Sequence, residues 1–173
     1  TLIPDFGQVV TDNVVLNLSP FEVFFDENRP FFNEGTELFE KSGHFYSRRV
    51  GGTPLNRWKA AAERKATEEI IENPSISQLI NASKFSGRNK NGLGIGVFNG
   101  ISANQYASLR DTLTGQTRRV ETAPLSNYNV VVFDQNLENN SSVTFTNTNV
   151  WRSGETYDAN LSALNFNLNN KKN

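Results

Sequence analysis

The stretch Leu161-Ser-Ala-Leu-Asn-Phe-Asn-Leu168 puts Leu164, Phe166 and Leu168 on one parity and Asn165 and Asn167 on the other. A period of two marks a strand with one apolar and one polar face. Working outward, Leu93, Ile95 and Val97 alternate with Gly94, Gly96 and Phe98, and Val143 and Phe145 alternate with Thr144, Thr146 and Thr148. Val130-Val-Val-Phe133 breaks the pattern. The reading predicts strands over 44–50, 77–86, 93–101, 127–135, 142–150 and 159–168. The fold class expected is therefore mainly β and antiparallel.

The connections carry a second signal. Those at 51–76 and 102–126 are long, and those at 87–92 and 136–140 are short. The first long one holds a helix-like run over 58–71, stopped by Asn73-Pro74, and the second a hairpin about Thr114-Gly115. The connection at 151–158 is intermediate, and an Asn/Lys turn follows the last strand. Up-and-down outer-membrane barrels sort loops this way, with tight turns on one rim and longer loops on the other. A lipid-facing apolar parity and a polar lumen parity suit the same architecture, although any half-exposed antiparallel sheet shows that alternation. The strands read over residues 43–173 number about six, and single-chain bacterial barrels start at about 8, so the expectation is a piece of a larger, incomplete barrel.

Residues 1–42 differ in being rich in Phe and acids. Ser19-Pro20-Phe21-Glu22 has the N-cap, first-turn Pro and early acid of a helix start. That helix should end before Pro30, with Phe31-Phe-Asn-Glu-Gly35 as a turn or loop. Phe21, Phe24, Phe25, Phe31, Phe32 and Phe39 need burial, so this segment is read as a partly helical plug packed inside the barrel.

Composition narrows the function. The 173 residues carry a formal net charge of −1 and no Cys. No long Lys/Arg run exists, which argues against a nucleic-acid surface. Thiolate metal sites, disulfides and Cys nucleophiles are excluded together. Mean hydropathy is −0.51, low for a large packed core but ordinary for a barrel with a polar lumen. No apolar run approaches the roughly 20 residues of a membrane helix, a test that does not touch barrels.

Chemistry-bearing residues are sparse. His44 is the single histidine, which rules out a multi-His metal site within this chain and favours a lumen or rim position over catalysis. Asp26, Glu27, Glu34, Glu37 and Glu40 surround Arg29, but their spacing fits no EF-hand loop. Salt bridges from plug to wall, using Glu27, Arg29, Glu34, Arg48 and Arg49, are the favoured reading. Carboxylates of the 22–40 region acting in a membrane-associated hydrolase are the alternative. Gly92-Leu-Gly-Ile-Gly-Val97 lacks the third Gly of a dinucleotide fingerprint, and small residues on a strand suggest close approach of another backbone or of the plug instead. Tyr46, Tyr106, Tyr128, Trp151 and Tyr157 could form an interfacial girdle, while Trp58, Trp151 and Tyr157 could alternatively stack on sugar rings. No cofactor, metal or catalytic set is expected, and the balance leans away from an enzyme.

Several blocks are familiar: Ile3-Pro-Asp-Phe-Gly-Gln-Val9, Leu16-Asn-Leu-Ser-Pro-Phe-Glu22, Glu27-Asn-Arg-Pro-Phe-Phe-Asn-Glu-Gly35, Phe45-Tyr-Ser-Arg-Arg-Val-Gly-Gly52, Lys84-Phe-Ser-Gly-Arg88 and Gly92-Leu-Gly-Ile-Gly-Val-Phe-Asn99. In this order they resemble the C-terminal region of a large uncharacterised family of Bacteroidota surface proteins. That resemblance implies a predicted outer-membrane β-barrel region following an N-terminal domain similar to carbohydrate-binding family 9. It implies a location in the bacterial outer membrane, in contact with lipid, with other outer-membrane proteins of an uptake complex as candidate partners. It also implies surface binding or handling of glycans or other nutrients. A soluble β-sandwich binding module is the remaining rival.

Overall fold

The computed structural model describes residues 26–41 and 43–170. Eight strands form two antiparallel sheets: β1 (Glu68–Glu72), β2 (Leu79–Arg88), β3 (Leu93–Ser102), β4 (Gln105–Asp111), β5 (Thr117–Ala123), β6 (Ser126–Asn136), β7 (Ser142–Arg152) and β8 (Ala159–Asn167). The larger sheet has the order β2-β3-β6-β7-β8, and the smaller β1-β4-β5. No closed barrel is seen among the described residues; β2 and β8 are the edges of the larger sheet.

The two sheets share their strand paths. β3 runs into β4 across Ala103-Asn104, and β5 into β6 across Pro124-Leu125. Pro124 cannot donate to a ladder, which fits a break there. β1 leads into β2 through a segment holding Pro74, whose Ser77 N–H bonds to Gly52 O. The larger sheet is thus a five-stranded wall, and three of its strands continue past one end as a ribbon. The expected hairpin at Thr114-Gly115 is the tip of that ribbon, with Gly115 at φ 72° and its N–H on Asp111 O.

Five of the strands expected from alternation exist, with ends shifted by one or two residues. The strand expected at 44–50 does not. Ser47–Arg49 is a 3-10 turn instead. The carbonyls of Ser47 and Val50 accept hydrogen bonds from the Arg29 guanidinium at 2.9 and 2.7 Å, so that backbone needs no ladder. The helix expected over 58–71 shrinks to α3 (Lys59–Ala62), and the chain beyond it becomes β1. A short isolated helix is marginal in water, whereas Glu68–Glu72 gains a partner strand in β4.

The Phe-rich segment also differs. The helix expected to end before Pro30 lies mostly outside the described residues, and residues 26–29 are not helical. Helix α1 (Pro30–Asn33) begins at that proline, replacing the expected loop. Pro30 occupies the first helical position, where its missing N–H costs nothing. Helix α2 (Glu37–Glu40) follows. Phe32, Leu38 and Phe39 from these helices bury against Val50, Ala82, Phe98, Val130 and Val132, with Phe31 and Phe45 packed alongside. The Phe98 ring lies 5.2 Å from Phe45 and 5.9 Å from Phe32. Ala60, Ala107, Leu109 and Val120 make a separate core for the ribbon.

Candidate functional site

Registry assigns every wall residue to one of two faces. Phe98 pairs with Lys84 and Val130, Gly96 with Ser86 and Val132, and Gly94 with Arg88 and Asp134. These residues share the face that the helices cover. Gly94 and Gly96 are the reason the helices come so close: a Cβ on Gly94 would stand 2.8 Å from Leu38 Cδ2, and one on Gly96 3.2 Å from Phe39 Cζ. The close approach expected from the small residues of this strand is found.

A buried carboxylate lies at the lower part of this face. Asp134 is fully buried; it accepts Lys41 Nζ at 2.7 and 2.8 Å, Thr144 Oγ1 at 2.6 Å, and Arg88 Nη2. Burial alone would raise its pKa. The bonds from Lys41, Thr144 and Arg88 more than offset that and hold the carboxyl below its ordinary range. Lys84, on the same face, donates to the carbonyls of Phe31 and Glu34 at the end of α1. Burial lowers its pKa. Helices and wall are therefore joined by Lys41–Asp134 and by Lys84 with two carbonyls.

A second cluster closes the upstream side. Glu27 accepts from Arg29 N, Nε and Nη2 at 3.0, 2.8 and 2.7 Å, and from Ser47 Oγ at 2.6 Å. Burial pushes the Glu27 carboxyl up, but these donors outweigh it and leave it lowered. The Arg29 guanidinium also sits 4.0 Å over the Phe32 ring. This carboxylate is ionised and fully engaged, which suits a rivet better than a general acid. Glu34 is exposed and offers its backbone carbonyl to Lys84; Arg48 and Arg49 lie in the 3-10 turn, Arg49 at 5.9 Å from the Tyr46 ring. Asp26, Glu37, Glu40 and His44 are exposed, and His44 O receives Thr148 Oγ1 at 3.4 Å. Among the described residues no group of His, Cys, Asp and Glu is placed to hold a metal.

Among the described residues, nothing packs over the opposite face of the wall, which is open. Leu93, Ile95, Val97, Val131, Phe133, Val143, Phe145, Leu164 and Phe166 dominate its lower rows, with Gln135 in the lowest. An amide ladder rises from the level of Val131, where Asn147 and Ser162 stand, to the rows above. Asn99 Nδ2 donates to Asn127 Oδ1 at 2.6 Å and Asn129 Oδ1 at 2.8 Å; Asn129 donates to Asn149 at 3.1 Å, and Asn149 to Asn147 at 3.0 Å. Asn147 continues to Asn160 at 3.2 Å and Ser162 at 2.8 Å. Ile101 and Trp151 stand level with Asn127 at its upper end, and Trp151 is 61% exposed. No Asp, Glu, Lys or Arg occupies the open face of β2, β3, β6, β7 or β8. The covered face holds Lys84, Arg88 and Asp134.

Charge returns in the ribbon. Glu69 pairs with Arg110, and Glu68 with Arg118 at 2.7 Å. The aromatics expected near this end are distributed rather than gathered. Trp58 precedes α3, Trp151 ends β7, and Tyr157 lies between β7 and β8 under the Arg152 guanidinium at 4.9 Å. All three are well exposed, and among the described residues no ring contact joins them.

Sequence reading missed Lys41, Arg88, Asp134 and the Asn ladder. The signals were present: Asp134 shares parity with Val130 and Val132, and Asn127, Asn129, Asn147 and Asn149 repeat at period two. Against known families, the family model described as "Domain of unknown function (DUF5916)" matches residues 1–173. Neither a curated protein nor a solved structure matches the chain.

Proposed function

The chain belongs to the DUF5916 family, and from that premise we propose that its five-stranded sheet is part of the wall of an outer-membrane β-barrel, with the Phe-rich helices on the lumen side. The observation that carries this reading is the segregation of charge between the two faces of one sheet. Soluble sheets keep charged side chains on solvent faces and edges to stay soluble and unpaired. Here the open face is uncharged and mostly apolar in its lower rows, while charge is kept on the covered face and in the ribbon. A barrel wall has that polarity, apolar toward lipid and polar toward the lumen. The wall strands run 10, 10, 11, 11 and 9 residues, against the roughly 9–11 needed to cross a bilayer. Edges open to lipid would be costly, so further strands must pair with β2 and β8.

The proposed role is binding or handling of glycans or other nutrients at the bacterial surface, or partnership with an uptake complex there. Its support is the resemblance of the sequence blocks to Bacteroidota surface proteins. A two-sheet soluble sandwich receives less support, because the larger sheet buries its core against helices and the ribbon has a core of its own. Heat-modifiability of the natural full-length protein in an outer-membrane fraction tests the wall. A change of gel mobility on boiling is expected; recovery in the soluble fraction with unchanged mobility would overturn the reading.

A further inference from the structure

From the open face we infer that the amide ladder and Trp151 form a seat for the uncharged sugar head group of a glycolipid. The inference rests on the wall reading and names the lipid that this surface prefers. Three observations select the occupant. Leu93 to Val97 climbs only about 14 Å, and Leu93 to Ile101 about 27 Å, or roughly 20 Å along the barrel axis at ordinary tilt. The lipid-facing band of such barrels is about 25 Å tall, so the upper end of the row, Asn127 beside Trp151 at the level of Ile101, lies within reach of lipid near the edge where hydrocarbon gives way to head groups.

The chemistry of the row comes next. Its amides satisfy one another in part, yet among the described residues Asn127 Nδ2 and Asn99 Oδ1 make no hydrogen bond. That leaves a donor beside Trp151, the cross-strand partner of Asn127, and an acceptor on the adjacent strand. An exposed indole face with a neighbouring amide donor and acceptor is complementary to a pyranose ring, whose C–H face stacks while its hydroxyls give and take hydrogen bonds. The third observation is charge. Among the described residues, the face has no cation for a phosphate and no carboxylate for an ammonium. Apolar rows below neutral amides mirror an amphiphile with acyl chains and an uncharged polyol head.

The test uses the full-length protein reconstituted in phosphatidylcholine bilayers, with and without digalactosyl diacylglycerol, and with phosphatidylglycerol as the anionic control. Lipid bound to the protein is counted by native mass spectrometry after gentle detergent release. Two amide bonds and one stacked ring correspond to about tenfold preference for the galactolipid over either phospholipid. Asn127→Leu and Trp151→Leu should each remove most of it, and Trp151→Phe should retain part. Equal retention of all three lipids by the unsubstituted protein overturns the inference without needing any variant. A preference that survives both leucine substitutions also overturns it. Failure of the protein to float with any bilayer would instead sink the wall reading itself.

Discussion

Lys41 Nζ bridges both oxygens of the buried Asp134 carboxylate, joining the end of α2 to the third strand of the wall. Asp134 also keeps Arg88 and Thr144, both on wall strands. The carboxylate therefore has partners on each side of the junction between helices and wall.

This double partnership sets an asymmetry between two substitutions. Asp134→Ala leaves two cations facing a void and should cost about 3 kcal/mol, the low end for breaking a buried ion pair on one side. Lys41→Met leaves the carboxylate paired with Arg88 and should cost about 1 kcal/mol. Denaturant midpoints for the two variants check the order. Equal losses would mean that Arg88 alone does not keep Asp134 satisfied.

Acid should act on the ribbon through Glu68. Hydrogen bonds from Arg118, then from the Lys65 backbone, lower its pKa from 4.5 to about 2. A folded-state value below the unfolded one means the contribution is whole above about pH 4.5 and is lost as pH falls toward about 2. Asp111 behaves alike, lowered from 3.8 to about 2 by the Thr114 backbone N–H, the Thr67 hydroxyl and the Leu113 N–H. Amide exchange of β1, β4 and β5, corrected for intrinsic rates, should accelerate across that window. Glu68→Gln should weaken the ribbon at neutral pH and flatten the acid response.

Gly96 tests how closely the helices must approach. A Cβ there meets the Phe39 ring at 3.2 and 3.3 Å, and the further methyls of valine have no room. Gly96→Val should cost about 2 kcal/mol by overpacking. Protease cleavage within 30–41 should rise in this variant, while the β-rich circular dichroism signal stays. Unchanged cleavage would show that the helices rest less tightly on the glycines.

Alternation made the wall strands legible, because each buries one face and so must obey period two. The glycine parity of β3 likewise announced a close neighbour. The turn at Ser47–Arg49 was not legible, since His44-Phe-Tyr-Ser-Arg-Arg-Val50 has strand composition, and the distant Arg29 side chain, which takes the carbonyls of Ser47 and Val50, supports the local turn bonds that replace a ladder. The run at 58–71 misled for a related reason. Its Ala, Glu and Lys favour helix locally, but pairing of Glu68–Glu72 with β4 is a contact across the chain. Glu27 and Arg29 stood out as charges, yet their actual partners, each other and Ser47, follow from a fold of the backbone that spacing does not encode.

Arg29 is a clamp whose shape matters as well as its charge. Its guanidinium makes four hydrogen bonds, two to the Glu27 carboxylate and one each to the carbonyls of Ser47 and Val50. Lysine has the charge without the fork. Arg29→Lys should therefore cost about 2 kcal/mol, close to the loss expected for Arg29→Met. Thermal midpoints of the two variants measure this, and full rescue by lysine would reduce the clamp to a simple ion pair.

The open face makes the sharpest demand on the wall reading. Val131 and Val132 are neighbours in β6, one on the open face and one in the core under the helices. In water, Val131→Arg should be nearly silent, since a half-exposed position lets a long cation reach solvent. In a bilayer the same arginine faces hydrocarbon and should cost about 2–4 kcal/mol near the midplane. Val132→Arg is severe in either setting, because it buries an unpaired charge. Folding yields of the full-length protein into phosphatidylcholine vesicles separate the cases. A wall predicts that both arginines fail, whereas a water-facing sheet predicts that only Val132→Arg does. Normal insertion and heat-modifiability of Val131→Arg would remove this face from the lipid.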